Sequence, residues 1–139
     1  MTYRRLFATI LIIPLLWTAT SAQPASTPSA DHHIHIPSEA TAEYLRSAAN
    51  FDIEKKDGED VVRFLNEAGV EKGVLLSLAY MFGRPGTDVS NEYAKVRQEN
   101  DYVARQAATN PDRLVAFCSV NPQTEYATDI VFKRQQDLQ

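Results

Sequence analysis

The chain carries one cysteine, Cys118, so no disulfide can close within it. Its stability has to come from a packed core, and a hydrophobic content of 44% is enough to build one. Cys118 sits inside an apolar run and reads as a small buried hydrophobe rather than a reactive thiol. Positive charge is short as well: 14 Lys and Arg stand against 18 Asp and Glu, a net charge of −4. There is no basic run, no aromatic-basic interleaving and no zinc-finger spacing, so the electrostatic footprint for phosphates is missing and nucleic acid is not an expected partner. No G-x-S-x-G turn surrounds Ser77 or Ser119, although both fall near expected strand ends, so serine catalysis is not expected. The apolar segment Leu6 to Trp17 is about a dozen residues long, short of the roughly 20 that a membrane-spanning helix needs.

That segment follows Arg4-Arg5 and precedes a small-residue tail, Thr18 to Ala22, which is the order of a secretory signal. Thr20-Ser21-Ala22 offers small residues at the two positions a signal peptidase reads, so residues 1–22 are expected to be a signal peptide. Export to the periplasm or the exterior follows, with no stable membrane association after cleavage. Arg4-Arg5-Leu6-Phe7 also has twin-arginine spacing, which leaves the export route open. Removing this segment takes away two arginines and no acidic residue, leaving a net charge of −6.

Residues 23–30 are rich in Pro, Ser and Ala, lack an apolar period and read as a flexible lead, with the folded domain expected over 31–139. Asp31 to Ile36 alternates as a strand, placing Asp31, His33 and His35 on one face and His32, Ile34 and Ile36 on the other. Ser38 to Lys56 reads as a long loop, with room for a short helix over Thr41 to Ala49. Val61, Phe64, Leu65 and Ala68 recur at one-face spacing and predict a helix over Asp60 to Ala68, capped by Asp57 and ended by Gly69. Gly73 to Ala79 is a continuous apolar run, as a strand buried on both faces requires. After a loop over Tyr80 to Thr87, the stripe Tyr93, Val96, Val103 and Ala107 predicts a long helix that Asn110-Pro111 stops. On that helix Glu99, Asp101 and Arg105 read as a solvated face with local pairs. Leu114 to Val120 reads as another strand apolar on both sides, and Asn121-Pro122 turns toward a third helix.

Strands alternating with helices imply a parallel sheet with right-handed crossovers. An open nucleotide-binding sheet would place a glycine-rich turn after its first strand, but Ile36-Pro37-Ser38-Glu39 stands there, so a (β/α)8 barrel is preferred. The fold class is therefore α/β, the N-terminal portion of such a barrel with about three βα units. Barrel enzymes carry function on the loops after their strands. Tyr80, Met81, Phe82 and Arg84 follow the second strand and are candidates to line a substrate pocket, with Arg84 pairing to a carboxylate. Asn121, after the third strand, is a further pocket candidate.

All three histidines of the chain lie between His32 and His35. Two imidazoles at i and i+2 on a strand point the same way and can bind one divalent cation, making His33 and His35 the candidate metal ligands. Zinc is the first expectation, with manganese, iron and nickel also suited to such ligands. Asp31 is either a further contact or a strand-start residue, and His32 reads as structural. A cation held this way can activate a water as a hydrolytic nucleophile.

The stretch Asp31-His32-His33-Ile34-His35, together with Glu99-Asn100-Asp101-Tyr102-Val103-Ala104-Arg105 and Asn110-Pro111-Asp112-Arg113-Leu114-Val115-Ala116-Phe117, resembles the amidohydrolase superfamily. The match is to the amidohydrolase-related group that includes aminocarboxymuconate-semialdehyde decarboxylase-like enzymes. Val120-Asn121-Pro122 continues it, so the likeness covers roughly Asp31 to Tyr126. It implies a metal-dependent barrel enzyme that hydrolyses C–N or C–O bonds of a small molecule, with decarboxylation in some members. It also implies further histidines from middle strands and a late aspartate as ligand and general base. No histidine follows His35, so the general base is expected beyond the end of a truncated chain that is inactive alone. The competing class is a non-catalytic exported metal binder.

Overall fold

The computed structural model describes residues 28–136, and the expected signal peptide lies outside the described residues, as does the lead up to residue 27. Elements follow in the order β1 (Ala30–Ile34), α1 (Glu39–Ala49), α2 (Gly58–Ala68), β2 (Lys72–Leu76), a 3-10 turn (Ala79–Gly83), α3 (Glu92–Ala108), β3 (Leu114–Phe117) and α4 (Ala127–Gln136). The chain is thus a mixed α/β unit around a parallel sheet of three strands in the order β1-β2-β3. Its first strand begins before the expected boundary. Ala30 pairs with Lys72, and the Ser29 carbonyl accepts the Lys72 and Glu71 N–H groups at 3.1 and 3.2 Å, so the end of the lead is part of the sheet.

Helix ends obey their capping chemistry. Asp57 and Asp60 form a reciprocal capping box at the start of α2, and Gly69 closes it at φ 70°. Arg113, just before β3, donates to Asn66 Oδ1 at 3.0 Å, to the Val70 carbonyl at 3.1 Å and to the Glu71 carbonyl, locking the turn that follows α2. The expected short helix after the first strand is α1, with Ser38 as its N-cap.

One apolar cluster joins α2 and α3 to the same side of the sheet: Val61 and Leu65, Val103 and Ala107, against Leu75 and Leu114. Strands adjacent in sequence are adjacent in the sheet, and these two helices cover one face of it. The register aligns Gly73 with Leu114 and Leu75 with Ala116 on that face, and Val74 with Val115 and Leu76 with Phe117 on the other. The second face corrects an expectation. The third strand is apolar on both sides but buried on one, since Val115 and Phe117 are 49% and 57% exposed. It also ends at Phe117, three residues early, which leaves Cys118 exposed rather than buried.

A second cluster forms a cap over the strand ends from the 3-10 turn, the start of α3 and α4: Ala79, Phe82, Val96 and Ile130, with Tyr44 of α1 packed on Phe82 at 5.1 Å between ring centres.

Gly58 marks the tightest helix contact. A Cβ there would lie 2.4 Å from the Gln106 carbonyl oxygen and 2.8 Å from Thr109 Oγ1, while its N–H donates to Gln106 Oε1 at 2.9 Å. Alanine is ordinarily the better helix residue by about 1 kcal/mol. Here overpacking against backbone dominates, and Gly58→Ala is expected to lower stability by about 1–3 kcal/mol, read as a lower midpoint in urea unfolding. An unchanged or raised midpoint would show that α2 and α3 are farther apart than described.

Candidate metal and substrate site at the strand ends

β1 is bulged. Asp31 pairs with Gly73 and Ile34 with Leu75, so three steps along β1 match two along β2. Period-two alternation is interrupted there, and Asp31 does not share the phase of His33 and His35, contrary to the pattern read from sequence. Its Oδ1 instead accepts the His33 N–H at 2.9 Å, turning the carboxylate onto its own strand. Ile34 packs on the helix-side core, so its neighbours His33 and His35 lie on the opposite face. His32 is exposed.

His33 Nε2 and His35 Nε2 stand 3.1 Å apart with their rings nearly perpendicular, at 87°. His35 Nδ1 lies 2.8 Å from the Leu76 carbonyl oxygen. A carbonyl only accepts, so Nδ1 carries the hydrogen and Nε2 of the neutral ring presents its lone pair. His33 then supplies the hydrogen between the two Nε2 atoms. Two nitrogens that each lie about 2.0–2.1 Å from a common zinc are about 3.3 Å apart at the tetrahedral angle. With His33 in its other tautomer both Nε2 lone pairs are available, and the spacing then suits two ligands of one cation, with His35 oriented by a backbone carbonyl as metal-bound histidines commonly are. Among the described residues no group of three or more His, Cys, Asp and Glu side chains is placed to hold a metal.

Three of the five pocket candidates come together, whereas Met81 does not join them and Phe82, 2% exposed, belongs to the apolar cap. Tyr80, Arg84 and Asn121 line one cavity of about 550 Å³ with Cys118 and Ser119. Neither His33 nor His35 lines it. The 3-10 turn is joined to the loop after β3 by two bonds: the Tyr80 N–H donates to Ser119 Oγ at 3.0 Å, and Asn121 Nδ2 donates to the Gly83 carbonyl at 2.5 Å. Asn121 Oδ1 accepts the Gln123 N–H at 3.0 Å. Asn121 is thus a strut with both ends of its amide engaged. Ser77 is buried, and its Oγ accepts the Ala79 N–H at 3.2 Å.

Sequence reasoning missed the groups that hold this end together. Glu99, read as a solvated residue, is 1% exposed, and its carboxylate accepts both the N–H and the hydroxyl of Ser38. Asn100, 3% exposed, donates from Nδ2 to the Ser119 carbonyl and accepts the Ser119 N–H at Oδ1, both at 2.9 Å. α3 packs on the sheet along one side and under the loop after β1 along another, so its buried arc is wider than its apolar stripe. The usable signal was Ser38 itself, a cap residue beside the buried pair Ile36-Pro37.

No family model and no curated protein matches the chain.

Two expectations follow from these contacts. Asn100→Ala leaves the Ser119 N–H and carbonyl without partners and should lower stability by about 1–3 kcal/mol in urea unfolding, more than an alanine at exposed Arg97 does. Equal effects would mean that the two bonds are worth little. Burial first, with the Glu92 hydrogen bond second, pushes the Tyr126 phenol up to about 12, and burial pushes Tyr102 to about 12 as well. Both phenols are raised above the ordinary value near 10, so their contribution to stability is full below pH 10 and is lost as pH rises from 10 to 12. Tyrosinate absorbance should lose one late-titrating phenol in Tyr126→Phe and one in Tyr102→Phe. Simultaneous titration of every tyrosine would overturn this.

Proposed function

We propose that the chain is the N-terminal sector of a (β/α)8 barrel in which His33 and His35 hold a divalent cation, zinc first, for hydrolysis of a C–N or C–O bond in a small molecule. The observation that carries this is the convergence of the two Nε2 atoms at 3.1 Å, with His35 Nδ1 anchored on the Leu76 carbonyl. Support for the barrel comes from the sheet. Its strands run in sequence order, α2 and α3 share one face, and the other face is apolar with the histidines at the strand ends. A cation bound there supplies Lewis-acid activation of a water. This chain's own residues orient the ligand pair, through Leu76, and offer a cavity between the loops that follow β2 and β3. Further strands of such a barrel, on this reading, bring the general base and the remaining ligands. The segment Arg4 to Ala22 supports export of the protein.

Titration of the chain with zinc or cobalt should give one bound ion, lost in His33→Ala and in His35→Ala; an ion retained by both variants would remove the site. Coding DNA downstream of Gln139, translated in three frames, should reveal further βα units with two histidines and a late aspartate. Turnover of an ester, lactone or amide by the isolated metal-loaded chain would overturn the requirement for later strands. A bound ion without any such downstream coding would favour a non-catalytic metal binder.

A further inference from the structure

We propose that the cavity between the 3-10 turn and the loop after β3 binds a small monocarboxylate with an apolar or aryl body, and that Arg84 is its anion partner. This names a substrate class for the site above, and it rests on that reading only in calling the ligand a substrate.

Charge is the first ground. Arg84 is exposed, lines the cavity and takes no part in the ion pairs of Arg46, Lys56 and Arg63. No aspartate or glutamate lines the cavity, so one guanidinium is left without a counter-charge at its wall. Elsewhere the wall is apolar or aromatic, with Tyr80, Pro85, Val120, Pro122 and Val131. A single planar fork of donors matches one carboxylate in bidentate fashion. A dianion would leave one charge uncompensated against apolar groups.

Preorganisation is the second ground. The carbonyl of Arg84 accepts the Thr87 N–H at 3.1 Å and the Thr87 hydroxyl at 2.6 Å. The preceding carbonyl, of Gly83, is held by Asn121, and Pro85 follows a backbone extended at φ −68°, ψ 140°. Gly83 lets the Glu92 and Tyr126 side chains approach closely, since a Cβ there would meet Glu92 Oε1 at 3.0 Å and Tyr126 OH at 3.1 Å. The backbone on both sides of Arg84 is thus hydrogen-bonded, which reduces the ordering needed on binding. Ser119 Oγ accepts from Tyr80 N–H and keeps its own hydrogen to donate. The volume, about 550 Å³, lies in the range of small-molecule sites.

The test uses the full chain, freed of metal with EDTA, and benzoate as the probe, with benzamide as its neutral counterpart and inorganic phosphate as the dianion. Calorimetric titration should show saturable benzoate binding, weaker by about tenfold or more in Arg84→Gln and unchanged in the double variant His33→Ala, His35→Ala. Backbone amide shifts on binding should concentrate at Tyr80, Arg84 and Ser119. Equal binding by the wild-type chain and Arg84→Gln, benzamide binding as tightly as benzoate, or phosphate displacing benzoate at equal concentration would each overturn the proposal. Loss of metal binding in the histidine variant bears on the hydrolase reading and leaves this one untouched, so the two can fail separately.

Discussion

Two consecutive side chains on α3 set the geometry of the whole strand-end surface. Glu99 takes the Ser38 N–H and hydroxyl in the loop after β1, and Asn100 takes both backbone groups of Ser119 in the loop after β3. Ser119 passes the constraint on by accepting the Tyr80 N–H in the loop after β2. One turn of one helix thus ties down all three loops. Both side chains are buried, so each bond left unmade would strand a polar group away from water, at a penalty larger than the bond's own net worth. Such a network specifies one arrangement of loops more sharply than apolar contact does, because it is satisfied completely or badly. The consequence for the cavity is that Tyr80 and Asn121 project from loops hydrogen-bonded to each other and, through Ser119, to α3.

The sheet beneath has a less settled side. A parallel strand is at home when both of its faces are covered, and here α2 and α3 cover one. On the other, Val115 and Phe117 stand more open than a core tolerates. Strand order and helix placement leave a three-stranded parallel layer packed on one face; in the proposed barrel the other face would be the packed interior. The two histidines rise from the end of that same face. On the proposed barrel reading, a segment covering Val115 and Phe117 would pack on the same face as the histidine pair.

Much of the framework was legible because it follows local rules. Asp57 and Gly69 bound α2 as their chemistry demands, and the apolar periods of α3 and β2 gave element type. The errors share a cause, which is that contacts from elsewhere in the chain decided them. Glu99 looks solvated on a helical wheel until Ser38, 61 residues away, is placed over it. Asp31 follows the alternation of His33 and His35 on paper, but a bulge in the pairing with β2 breaks the phase. Cys118 extends an apolar run, yet the strand stops one residue before it. Periodicity reports a side chain's phase within an unbroken element; it is blind to a bulge, an early strand end or a second packing partner.

The histidine pair and the Arg84 cavity stand at different points along the same sheet end, and their spacing bears on what a ligand must be. His35 is tied to the Leu76 carbonyl on β2, Leu76 pairs with Phe117 on β3, and Cys118 of the cavity wall follows directly. From β1 to β3 is two inter-strand spacings, roughly 10 Å. A molecule whose carboxylate is held at the far side and whose reacting bond lies at the histidines has to cross the end of β2. A compact anion such as acetate could occupy the cavity without ever reaching the pair. If the proposed hydrolase reading holds, an elongated one would bridge both, and the binding energy of its anchored end would orient its other end at the histidines, where a small misplacement weighs heavily on rate.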